Sequence, residues 1–248
     1  MATIYILWLR QLKRYSRSKA RIIGSLGQPL LFLVALGFGM GPVYQRAKGE
    51  NYINFLAPGV MAMGIIFTAT FSGIEIIWDR QFGFLKETLV APTSRLNIML
   101  GRTLGGATVA TLQGIIVLCL SLLVGFRPHL SPALPLALLF IFLIALLFTA
   151  LGTAIASVMK DFQGFQLIIN FLIMPLFFLS GSLFPLDDLP KPLRIITNLN
   201  PLSYGVDGLR HTLIKSYHFG LLSDFLVLSC ITTVILILGS YLFSKIQI

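Results

Sequence analysis

Charge is what this chain has least of. Charged residues fill 11% of its 248 positions, against about 25% in a soluble globular domain, which excludes an ordinary soluble fold. Acids are the scarcer sign: nine Asp and Glu stand against nineteen Lys and Arg, for a formal net charge of +10. Cysteine occurs only as Cys119 and Cys230, each inside an apolar run. Both read as small core residues, with no disulfide framework and no cysteine metal site. There is no G-x-x-x-x-G-K-[ST] loop to cradle a nucleotide phosphate, and no H-E-x-x-H or G-x-S-x-G. Asp187 and Asp188 are adjacent, so their side chains diverge in a surface loop. The first residues carry too much charge before their first apolar run for a cleavable secretory leader. No metal ligand set, no catalytic residue and no cofactor of its own is therefore expected.

What the chain does have is long apolar runs. A spanning helix needs about 20 mostly apolar residues, and six such runs are expected: 22–40, 52–78, 103–126, 134–159, 162–184 and 221–243. Barrel strands would alternate over short segments, and they do not occur. The fold class is an all-α polytopic membrane protein, one transmembrane domain over residues 1–248. The basic residues flank the runs, which is the pattern of membrane orientation, so no nucleic acid partner is expected. Six Lys/Arg before the first run, then Arg80, Lys86, Arg95, Arg102, Lys160 and Lys245, place twelve on one side against seven on the other. The richer side is cytoplasmic, with both termini there, and the protein belongs in the cell (inner, plasma) membrane.

Three segments are amphipathic. In residues 1–21, Ile4, Leu7, Trp8, Leu12 and Tyr15 share one face and the other is basic, as in an interfacial helix. Residues 79–101 form a cytoplasmic segment between the second and third runs. There Phe84, Leu85, Thr88 and Leu89 make an apolar face, Lys86 and Glu87 point elsewhere, and Pro92 stops the helix before Ser94-Arg95. A design of that kind docks a soluble partner. Residues 183–220 hold Pro185, Pro190, Pro192 and Pro201 and read as two short amphipathic helices broken at Asn200-Pro201, which lie at the outer leaflet or dip into it where protein or a wet cavity covers them, with Asp207 and Arg210 one turn apart. Glu75 is the one acid expected well inside a run, near Arg80 or Arg102. Gly101, Gly105, Gly106 and Gly152 allow close helix approach.

Residues Gly83–Arg95 and Asn200-Pro201-Leu202-Ser203-Tyr204-Gly205-Val206-Asp207-Gly208-Leu209-Arg210 together resemble the ABC-2 type exporter permeases. The first is similar to the family's G-T-L-E-x-L-L-x-T-P-x-S-R, the second to N-P-L-T-Y-x-V-D-x-L-R. The resemblance implies a second permease copy as partner, two ATP-binding cassette subunits, surrounding membrane lipids, and ATP with Mg held on the partner subunits. It implies that Phe84, Leu85, Lys86, Glu87, Leu89, Pro92 and Arg95 couple to the ATPase. It also implies that spans one and five line the path, and there Phe171, Leu172, Phe178 and Leu179 from both copies are expected to form an apolar plug opened by movement around Pro175. Asn200, Pro201, Tyr204, Asp207 and Arg210 fall on the outer helix. Twenty Phe, seven Tyr and two Trp favour a drug, lipid or lipid-linked cargo over a long glycan, which stacks on Tyr and Trp. The alternatives are an ATP-independent lipid scramblase and a secondary transporter.

Overall fold

Side-chain caps fix where several helices begin. Asn51 accepts the Ile53 N–H, Ser94 the Asn97 N–H, Asp161 the Gly164 N–H and Asn200 the Leu202 N–H. Each satisfies a backbone donor that the first helical turn leaves open. The computed structural model describes residues 2–49, 51–90, 93–129, 134–186 and 190–246, without the side chains of Lys48, Lys86 and Leu89. Pro92, Asp187 and Asp188 lie outside the described residues.

Among the described residues there are eleven helices and no strand. They are α1 (Ala2–Arg17), α2 (Lys19–Lys48), α3 (Tyr52–Phe71), α4 (Ile74–Gln81), α5 (Phe84–Val90), α6 (Arg95–Val124), α7 (Leu134–Val158), α8 (Phe162–Phe178), α9 (Lys191–Leu199), α10 (Pro201–Ile214) and α11 (Leu221–Ser244). Five stretches are long and apolar enough to cross a membrane: Lys19–Ala47, Tyr52–Gln81, Arg95–Val124, Leu134–Val158 and Leu221–Ser244. The fifth expected run is shorter. α8 has 17 residues, about 25 Å at the helical rise, because the chain turns after Phe178. Leu179 N–H bonds the Pro175 carbonyl, Ser180 caps Phe177, and Gly181 takes φ +74°.

α3 is the axis of the bundle. Almost every residue from Tyr52 to Thr70 is buried, enclosed by α2, α6, α7 and α10. A helix that is apolar all round is one that is covered all round. Its break at Ser72-Gly73 marks a backbone crossing. A Cβ on Gly73 would run into the Gly152 carbonyl of α7, and one on Gly152 into the Thr70 carbonyl. Only glycine at both positions lets the two helices meet there.

One expectation changes and one is narrowed. Cys119 and Cys230 are exposed rather than core, because near them α6 and α11 bury one side and the cysteines fall on the other. α10 is the covered one of the two short helices rather than a surface one. It is buried against α3, α7 and α11 from Leu202 to Leu213, since its glycines Gly205 and Gly208 bring it close enough for Ile144 and Phe140 to cover it. α9 is the surface helix of that pair, with Ile195 and Leu199 exposed.

Candidate functional site

At the end of the bundle that carries α1, α4 and α5, two acids one helical turn apart organise four arginines. Glu75 and Asp79 of α4 are 4% and 5% exposed. Asp79 receives Arg10 of α1 at 3.1 Å and Arg102 of α6. Glu75 receives Arg14 of α1 at 3.6 Å and Arg21 of α2 at 3.3 Å. The partners expected for Glu75, Arg80 and Arg102, are engaged elsewhere. Arg80 donates to the Met159 and Ser157 carbonyls, closing the C-terminus of α7. α4 is thus tied by charge to α1, α2 and α6 and by hydrogen bonds to the end of α7.

α1 is held along the same end. Gly101 and Gly105 of α6 form its seat, where any Cβ would press on Ile4, Leu7 and Gln11. Trp8 Nε1–H donates to Thr108 Oγ1 at 3.0 Å, and Tyr15 O–H to Gln113 Oε1 at 2.9 Å. Burial raises the pKa of the Tyr15 hydroxyl above its ordinary value, against the opposing charge of Arg21. The interfacial helix of the sequence reading is therefore clamped to protein on its apolar side.

α5 follows α4 through a turn at Gly83, φ +82°. Leu85 is its root, 1% exposed in the main core. Phe84 is 52% exposed, and the neighbouring Phe82 and Val90 stand out at 74% and 83%. Glu87 is exposed, and Thr88 bonds back to the Phe84 carbonyl. The expected single apolar face is therefore divided: Leu85 turns inward, and Phe84 turns outward with two residues that the sequence reading passed over. Arg95 is exposed and engaged within the chain. Its guanidinium bonds the Ser244 and Ile246 carbonyls and ties the start of α6 to the end of α11.

At the other end, Arg210 is 6% exposed. It donates to the carbonyls of Phe55, Gly181 and Ser182 and lies 3.7 Å from the Phe55 ring centroid. Asp207 accepts the His218 and Phe219 backbone N–H groups. Asn200 Nδ2 donates to the Leu176 carbonyl at 2.6 Å, Pro201 opens α10, and Tyr204 stacks on Phe219 while its hydroxyl bonds the Asn198 carbonyl. All five expected outer residues lie together, as braces.

The expected plug residues divide along α8. Ile169, Ile173 and Phe177 are buried, Phe177 edge-on to Phe32 of α2. Phe171 is 83% and Phe178 41% exposed, with Leu172 and Leu179 between and Pro175 open on the outer side. The sequence reading missed Asp79 as a buried acid, although its four-residue spacing from Glu75 puts both on one face. It also missed Asp224, 0% exposed in the first turn of α11, whose carboxylate oxygens meet no hydrogen-bond partner among the described residues. Among those residues, no cluster of His, Cys, Asp or Glu is arranged to hold a metal ion.

A family model described as ABC-2 type transporter matches residues 2–214. Nodulation protein J of Rhizobium leguminosarum bv. viciae is 29% identical over 230 residues, covering 89% of this chain and 88% of that protein. Nodulation protein J of Rhizobium leguminosarum bv. trifolii is 32% identical over 208 residues, 83% of this chain and 76% of the relative. The putative transport permease ycf38 of Porphyra purpurea is 31% identical over 198 residues, 79% and 68%.

Proposed function

The chain belongs to the ABC-2 type transporter family and is an integral-membrane transport permease, and from that premise we propose that it is the permease subunit of an ATP-driven exporter. Its cargo is an amphipathic or lipophilic molecule (a drug, a lipid or a lipid-linked glycan). Two copies pair, two ATP-binding cassette subunits dock at their α5 helices, and ATP with Mg stays on those subunits. The chain crosses the membrane six times, α8 included, with both termini cytoplasmic.

One observation carries this reading: the division of labour along α4–α5. Phe82, Phe84 and Val90 offer an exposed apolar surface beside Glu87, while Leu85 roots the same short helix in the core. Behind it, Glu75 and Asp79 engage arginines of α1, α2 and α6. A push on α5 is delivered to three helices at once, which a nucleotide-driven rigid-body change requires. At the far end of the motion, the exposed α8 face with Phe171 and Phe178 meets the second copy. There Pro175, which removes one helical hydrogen bond, is the point of bending. Co-purification tests the reading: a tagged full-length chain brings an ATP-binding cassette protein out of the membrane, and Phe84→Asp releases it. A chain that purifies alone, with transport intact after ATP depletion, contradicts it.

A second reading has one observation in its favour. Asp224 is a buried acid within a spanning helix, beside Asp207, and intramembrane acids serve proton relays. Transport that collapses with a protonophore and ignores ATP would select a secondary transporter.

A further inference from the structure

Between α2 and α3, at the end held by α1, lies a half-open crevice of about 360 Å³. Arg21, Gln28 and Thr68 make part of its wall polar, and Pro29, Met63 and Phe67 make the rest apolar. A second cavity of about 450 Å³ shares Arg21 and Phe71 with it and adds Arg14. Arg14 and Arg21 divide one carboxylate, Glu75, and their side chains remain 37% and 32% exposed while that of Glu75 is 5% exposed. One buried negative charge thus faces two half-open positive ones. Lys13, Arg17 and Lys19 stand exposed along the same stretch of chain. The ion pairs that tie α4 do not fill this space, and the transport reading makes no use of it.

We propose that this crevice is a binding site for an anionic amphiphile of the surrounding leaflet, its head at Arg14 and Arg21 and its apolar tail between α2 and α3. The chemistry follows from the two halves of the wall. Guanidinium groups make strong charge-assisted hydrogen bonds to phosphate or carboxylate oxygens, and Met63, Phe67 and Pro29 offer the tail contacts that water cannot match. A neutral or zwitterionic head leaves the surplus charge uncompensated. A head without a tail leaves the apolar crevice unfilled. The proposal does not depend on export, and its test needs no ATPase.

The test is lipid retention by the full-length chain, purified in a neutral detergent with equal phosphatidylglycerol and phosphatidylcholine and read by native mass spectrometry. Phosphatidylglycerol is expected to be retained over phosphatidylcholine by roughly fivefold for each arginine engaged. Inorganic phosphate should not displace it. Two variants probe the two halves of the site. Arg14→Gln and Arg21→Gln together with Glu75→Gln remove both guanidinium groups and the surplus charge without leaving a buried acid unpaired, and should abolish the preference. Gly24→Leu adds a side chain at the wall of the crevice, where a Cβ meets nothing within 4 Å, and should cut phosphatidylglycerol occupancy while the ion pairs stay. Lys13→Gln with Arg17→Gln removes nearby charge outside the crevice and should leave the preference in place.

Equal retention of the two lipids, unchanged binding in Gly24→Leu, or a preference lost only in Lys13→Gln/Arg17→Gln would overturn the site; the last would reduce it to a basic surface. The source of the ligand is then separated in vesicles holding the chain and its ATP-binding partner. ATP-dependent movement of a labelled phosphatidylglycerol across the bilayer marks cargo, and retention without movement marks a resident lipid. Both fit the site.

Discussion

The two ends of the bundle hold their acids in different ways. Around α4, acids meet arginines side chain to side chain: Asp79 with Arg10 and Arg102, Glu75 with Arg14 and Arg21. Around α10, Asp207 accepts two backbone N–H groups, and Arg210 bonds three carbonyls. Side chains that share partners can exchange them as helices shift, and Glu75 and Asp79 each have two arginines to choose from. Backbone carbonyls have no such freedom, so the α10 end fixes the turn after α8 and the start of α3 in one arrangement. On the proposed function, the first end transmits a displacement and the second holds still.

The largest expected effect comes from breaking the transmitting end at its driest point. Arg102 and Asp79 have side chains only 5% and 7% exposed, and removing one member of a buried pair costs about 3–5 kcal/mol. Arg102→Ala should therefore lower the thermal unfolding midpoint in detergent more than any change at an exposed arginine. Arg10→Ala, whose side chain is 43% exposed, should cost far less. Next comes Arg210→Lys. An ammonium keeps the charge but lacks the planar fork that reaches Phe55, Gly181 and Ser182 together, so about 1.5–3 kcal/mol should be lost, read in the same melts. An unchanged midpoint would mean that the fixed end is held by packing alone. The smallest effect on stability is expected at Glu87→Lys, within about 0.5 kcal/mol for an exposed residue. Its effect should appear instead in cargo-stimulated ATP hydrolysis, which falls while the chain still inserts.

The helices were legible because a membrane span leaves an unmistakable stretch of apolar residues, and the break at Asn200-Pro201 was legible because a cap and a proline coincide there. The lengths were less so. α2 extends to Lys48 through Arg46, because a helix end outside the apolar layer needs no hydropathy. α8 stops at Phe178 because of the turn at Gly181, which no composition records. The short helix α5 was legible in the sequence, but the directions of Phe84 and Leu85 were not. Both are apolar, and only the angle of α5 on α4 decides which one is buried. Asp79 was read as the start of the cytoplasmic segment 79–101, because Arg80 and Gln81 follow it. The partners that bury it, Arg10 and Arg102, lie far away in sequence. The same blindness to tertiary cover left open whether α10 lies at the surface or beneath other helices.

The central claim is that α5 carries motion into the bundle through Leu85 and α4. The direct measurement is cargo moved per ATP hydrolysed, in vesicles containing the chain and its ATP-binding partner, for Leu85→Ala beside Phe84→Ala. Phe84→Ala should weaken partner binding. Leu85→Ala should leave the partner bound and hydrolysing ATP while cargo moved per ATP falls severalfold, because the docked helix has lost its root. Transport by Leu85→Ala at the unaltered ratio of cargo to ATP would contradict the account.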